Sequence, residues 1–155
     1  MSENSNVIQP RPADIALWSL ACHFAAYAMF FLPFGHILGP LIVWLAKRDS
    51  SPEIDAHGKA SLNFQLTMSL IYLCLGIIGV VLIAILIAAG AVEMFKTEHL
   101  DLMTANLIVT MIGLVLIAIL SVIGAIYGWV MIAVNGIRAY DGKPAYYLPS
   151  ISFLK

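Results

Sequence analysis

Apolar positions gather in three long blocks separated by short polar runs. No Asp, Glu, Lys or Arg occurs within residues 15–46, 60–92 or 102–137. About 18 charge-free apolar residues suffice for a helix that crosses a bilayer, and each block is longer than that. The pattern predicts an all-α integral membrane bundle of four helices, one of them short or broken.

The punctuation between blocks sets the expected elements. A first span is expected over residues 13–32. Pro33, Gly35, Gly39 and Pro40 then place two prolines and two glycines within eight residues, enough to break a helix. The apolar piece 37–46 that follows is short for an ordinary span, and reads either as a tightly packed span or as a re-entrant segment. Ser50 and Glu53 in the polar connector have capping-box spacing, and Pro52 suits a first helical turn. A helix starting there carries Asp55, His57, Lys59, Asn63 and Gln65 into the next span, expected over 58–89. The last span is expected over 102–138, and Asp141-Gly142-Lys143-Pro144 stops it. One transmembrane domain, 13–144, is thus expected between a disordered polar tail, 1–12, and an interfacial tail, 145–155, that carries Tyr146 and Tyr147.

Basic residues orient the spans. Lys47, Arg48 and Lys59 lie in the connector and Arg138, Lys143 and Lys155 near the C-terminus, whereas the loop 93–101 has only Lys96. The positive-inside rule places the connector and C-terminus in the cytoplasm and the 93–101 loop outside. If 37–46 crosses the membrane, the N-terminus is cytoplasmic as well, and four spans with both termini inside is the expected topology.

Composition agrees with this picture. Hydrophobic residues make up 61% of the 155 residues and charged ones 11%, against about 45–50% and about 25% in soluble domains. A net charge of −1 gives no electrostatic reason to bind nucleic acid. Cys22 and Cys74 both lie in apolar blocks and read as small packing residues. Ser19-Leu20-Ala21-Cys22 faintly resembles a lipoprotein cleavage box, but too little apolar sequence precedes Cys22 and too much follows it.

Polar residues inside the blocks are the candidates for chemistry. On a helix His57, Ser61 and Gln65 share one face, and Asn63 and Thr67 another. They can line a polar vestibule, contact a partner, or staple helices through hydrogen bonds worth about 0.6–2 kcal/mol each. His23 sits mid-span with no acid in the apolar blocks to pair with, and neutral histidine can simply bond across helices. None of His23, His36, His57 and His99 pairs with another at helical spacing, so no metal ligand set is expected. Gly124 and Gly128 allow a close helix contact, with another helix or another copy. Asn135 and Arg138 end the last helix, Arg138 either reaching the headgroups or pairing with an acid such as Asp55. No nucleophile–base pair stands out; no catalytic residue and no cofactor is expected, and the chain is expected not to be an enzyme.

Several motifs together resemble a known family. They are Trp18, Pro33-Phe34-Gly35, Gly39-Pro40-Leu41-Ile42-Val43-Trp44-Leu45, His57-Gly58-Lys59, Asn63-Phe64-Gln65 and Asn135-Gly136. The pattern, from Trp18 to Phe153, is similar to small bacterial membrane proteins of the Tic-twenty-like group. That group is related to the twenty-kilodalton channel subunit of the chloroplast inner-envelope import machinery. The resemblance implies a four-helix membrane fold with both termini cytoplasmic and, through the plastid relatives, a part in protein translocation. The function expected is a small multi-pass module of the bacterial inner membrane, surrounded by lipid. It assembles with itself or with other membrane proteins, as a channel-like or translocation-related component. The alternatives are a small-solute or ion conduit and, less favoured, a membrane enzyme.

Overall fold

The computed structural model describes residues 12–93 and 100–155. Of the described residues 84% are helical and none is in a strand, and three helices are long and apolar enough to cross a membrane. The order is α1 (Ala13–Phe24), a 3₁₀ stretch (Ala25–Phe30), α2 (Gly35–Lys47), a 3₁₀ turn (Arg48–Ser50), α3 (Pro52–Glu93) and α4 (Leu100–Tyr140). The expected tail 1–12 and loop 93–101 fall largely outside the described residues. Two compact units form: unit 1 is Met1–Leu66 with Val130–Lys155, and unit 2 is Thr67–Trp129.

Unit 1 starts with a helical hairpin. The first span is not α-helical to residue 32: it tightens to 3₁₀ at Ala25 and ends at Phe30. At about 1.5 Å per α residue and about 2.0 Å per 3₁₀ residue, its length still matches a hydrocarbon core of about 30 Å. The break is narrower than the proline and glycine count predicts. It spans Phe31 to Phe34, and Phe34 takes a left-handed conformation (φ 58°). Pro40 lies inside α2, fully buried, where its missing N–H forfeits only one bond to the preceding turn. The 13 residues of α2 reach about 20 Å, so it is the short helix the sequence leads one to expect.

The two arms meet through glycine. A Cβ on Gly39 would run into the Ala25 carbonyl, and one on Gly35 into the Ala28 carbonyl. Residue numbers that rise on one arm as they fall on the other mark an antiparallel pair. The absence of side chains at these two positions brings the backbones together. Farther on, a Cβ on Gly58 would strike the Trp44 ring, so α3 also packs closely on α2.

The start of α3 follows turn chemistry, one residue later than expected. Ser50 belongs to the 3₁₀ turn. Ser51 is extended (φ −162°, ψ 138°), and its Oγ accepts the Glu53 N–H at 3.2 Å. Pro52 occupies the first helical position, where the proline ring is pre-set for a helix and its lost donor would be unpaired in any case.

Unit 2 is an antiparallel pair made from the later part of α3 and the earlier part of α4. The Tyr72 hydroxyl donates to the Ser121 carbonyl at 3.3 Å; Gly124 faces Tyr72 and Met68, and Gly113 faces Leu82. Gly124 therefore makes the expected close helix contact within the chain, whereas a Cβ on Gly128 would meet nothing within 4 Å. Only 6% of the most apolar stretch of α3, and likewise of α4, is covered by the protein itself. Cys74 is exposed on this surface, whereas Cys22 is buried in unit 1.

Candidate functional site

The polar residues singled out on the early turns of α3 converge with α1, α4 and the C-terminal segment 145–155 inside unit 1. Two asparagines hold that segment by its main chain. Asn135 is fully buried on α4. Its Oδ1 accepts the Tyr146 N–H at 2.6 Å, and its Nδ2 donates to the Tyr146 carbonyl at 2.9 Å and to the Met131 carbonyl at 3.0 Å. Asn63 on α3 repeats the arrangement eight residues later in the segment. Its Oδ1 accepts from the N–H groups of Phe153 (3.0 Å) and Leu154 (2.8 Å), and its Nδ2 donates to the Leu154 carbonyl at 3.0 Å. A carboxamide offers an accepting oxygen and two donors, one donor more than a peptide group, so each asparagine can pair with main chain as a neighbouring strand would, and Asn135 spends its extra donor on the Met131 carbonyl. Between them the segment lies against α3, with Tyr146, Leu148, Ile151 and Phe153 left exposed.

A chain of three side chains runs beneath it. His23 Nδ1 is 2.7 Å from the Tyr147 hydroxyl, and His23 Nε2 is 3.0 Å from His57 Nδ1. His23 is 0% exposed, His57 4% and Tyr147 8%. The Tyr147 ring stacks on Phe64 with centroids 4.3 Å apart. Burial pushes the Tyr147 hydroxyl well above its ordinary range, and the neighbouring Ser61 hydroxyl counters only part of that. The two histidines are 34 residues apart in sequence, so spacing along one helix cannot reveal their contact. The usable signal is physical: an imidazole inside an apolar block must find a polar partner, and the two it finds, His57 and Tyr147, lie outside the charge-free blocks, in the connector and the C-terminal segment. Gly136 lets α4 close on this cluster, because a Cβ there would strike the Phe24 ring and approach His23.

The remaining candidates divide between bracing and packing. Lys59 pairs with Asp55 at 2.7 Å, and the Trp44 indole N–H donates to the other Asp55 oxygen at 2.8 Å. Asp55 is thus taken, and the alternative of pairing it with Arg138 does not hold. Arg138 instead donates from Nε and Nη2 to the Pro144 carbonyl, at 3.2 and 3.0 Å, fixing the turn that launches the C-terminal segment. Ser61 and Gln65 are buried on the His57 face of α3. Lys47 sits over the Trp18 ring at 4.4 Å and Arg48 over Trp44 at 5.2 Å, a pairing of tryptophan with basic residues typical of a membrane boundary. An open cleft of about 340 Å³, lined by Lys59, Asn63, Tyr147, Ser150 and Ser152 among others, lies beside the segment. Among the described residues no three His, Cys, Asp or Glu side chains come together as a metal would need.

No curated protein and no solved structure matches the chain. The resemblance to the Tic-twenty-like group gains no support from a match of its own. A family model does match, over residues 14–154, from the start of α1 to the last residue clamped by Asn63: the protein belongs to the magnetosome magnetite crystal formation protein family (MamF/MmsF).

Proposed function

We propose that this chain serves magnetite crystal formation as a multi-pass assembly module of the magnetosome membrane, with no catalysis of its own. The observation that carries the reading is the division of labour between surfaces. Polar side chains bond to one another and to the C-terminal segment within unit 1, while few residues in the most apolar stretches of the long helices are buried by the protein itself. Such a surface is made for lipid and for other membrane helices. Apolar burial does not drive helices together in a bilayer, so partners are selected by close packing and a few polar contacts.

In this reading the connector and the C-terminus lie on the cytoplasmic side, as their basic residues favour, the N-terminus joins them by α2 crossing the membrane, and the 93–101 loop faces the opposite compartment. Deleting the protein from a magnetosome-forming bacterium should alter the size or number of magnetite crystals. Cross-linking in its magnetosome membranes should return the same neighbours, or a second copy, each time. Unaltered crystals together with a strictly monomeric chain would sink the proposal.

A conduit or translocation component, as in the Tic-twenty-like group, is the second reading. It draws on the buried polar residues His23, His57 and Asn63. Flux through proteoliposomes, lost in Asn63→Leu, would favour it over assembly alone; flux no greater than in empty vesicles would remove it.

A further inference from the structure

We propose that His23 and His57, closed at one end by Tyr147, form a single-proton site: together they take up one proton, not two, and keep their hydrogen bonds when they do. The case is donor and acceptor counting. Each imidazole has two ring nitrogens; when neutral, one carries hydrogen and the other is bare. With both rings neutral, the Tyr147 hydroxyl donates to His23 Nδ1 and His23 Nε2–H donates to His57 Nδ1, across 2.7 and 3.0 Å. An added proton on His23 Nδ1 turns that contact round. The nitrogen now donates to the phenol oxygen, and the Tyr147 O–H is released toward Ser61. The contact to His57 is untouched, so both bonds survive. The mirror arrangement, with His57 Nδ1–H donating to His23, also accepts one proton without losing either bond. A second proton puts two N–H groups face to face and two positive charges in one buried contact, and the chain breaks.

Among the described residues, charged groups on the surrounding elements are engaged elsewhere. From α1 comes the neighbouring Cys22 thiol, which turns to the Ile54 carbonyl at 3.9 Å. Tyr27 of the 3₁₀ stretch acts on Tyr147. On α2, Lys47 is seated over Trp18 and His36 stands at the far, N-terminal end of the helix. On α3, Asp55 is held by Lys59 and Trp44. On α4, Arg138 is spent on the Pro144 carbonyl, and Asn135 is neutral. In the turn after α4, Lys143 pairs with Asp141 at 3.1 Å. The proton enters from water in the cleft that Tyr147 lines. Two sites coupled this strongly titrate as a unit rather than as two residues.

The test is a proton count on the full chain in lipid bilayers, by ¹⁵N spectra of its histidines over roughly pH 4 to 8, where imidazole titrates. The native protein is expected to bind one proton at the pair, with both rings responding at a common midpoint. His57→Gln keeps a donor and an acceptor at the contact while removing one titrating ring, and the count is expected to remain one. Tyr147→Phe keeps the stack on Phe64 but removes the acceptor, and proton affinity is expected to fall about tenfold, one pH unit. A native count of two or of none overturns the proposal. So does a fall in the count on His57→Gln, or a midpoint that Tyr147→Phe leaves in place.

Discussion

Unit 1 and unit 2 are built from the same two long helices, yet they are held by different means. In unit 1, buried Asn63, Asn135, His23 and His57 bond to partners on other elements, and glycines at 35, 39, 58 and 136 sit where a methyl group would collide. In unit 2 a Cβ on Gly113 or Gly124 would meet only the far ends of the Leu82, Tyr72 and Met68 side chains, Gly76, Gly90 and Gly128 have open space where their side chains would be, and the Ser121 hydroxyl bonds its own helix at Ile117 O (2.8 Å). The difference shows how a greasy chain acquires a defined structure. Lipid is as apolar as leucine, so burial of leucine between helices gains little. Geometry is set by groups that hydrocarbon cannot satisfy and by places where backbones touch.

Substitutions test that contrast. The largest effect is expected at Asn135. Asn135→Leu strands the N–H and carbonyl of Tyr146 in a buried site and should cost about 3 kcal/mol, as unmet buried polar groups do. The C-terminal segment should undock, read as new protease cleavage after Tyr140. Gly39→Ala comes next, at about 2 kcal/mol, because the obstacle is the Ala25 backbone, which has no rotamer to yield. Both losses can be measured by unfolding in mixed micelles.

Alkali should undo unit 1 in a defined window. The folded protein holds the Tyr147 proton more tightly than an unfolded chain, whose tyrosine titrates near 10. The associated stability is therefore complete below about pH 10 and is lost as pH climbs past it. Protection of the segment from proteolysis should follow that course, and Tyr147→Phe should lack it. An unchanged pH course in that variant would detach Tyr147 from the effect.

Unit 2 supplies the small effects. Gly76→Ala should be neutral or stabilise the helix by up to about 1 kcal/mol, the opposite sign from Gly39→Ala. Ser121→Ala should fall within about 0.5 kcal/mol, since its hydroxyl staples nothing but its own turn. A large loss at either position would erase the distinction between the two regions.

The same contrast explains what was legible in the amino-acid order. Charge-free blocks mark the long helices because lipid tolerates nothing else over that length, and Pro52 marks the start of α3 because turn chemistry is local. Ser51 rather than Ser50 caps that helix, a choice between neighbours that the 3₁₀ turn before it decides. The tightening at Ala25 has no glycine or proline of its own to announce it; the glycines that meet this stretch, Gly35 and Gly39, lie on the other arm. His57, Asn63 and Asn135 stood out as polar residues in apolar surroundings. Their partners did not, because the partners are main-chain atoms of residues 146, 153 and 154 and a ring on α1. Nothing in the spacing along one helix sets its register against another.

The asparagine clamps bear on how freely the last residues can drift. Asn63 and Asn135 grip peptide groups, which every amino acid carries, so the identities of Tyr146, Phe153 and Leu154 are irrelevant to the grip. Proline is the one residue barred from those three places, since it brings no hydrogen to the bond. The segment is thus free to accept mutations at random in most of its letters while keeping its path, with Tyr147 as the letter that chemistry pins down.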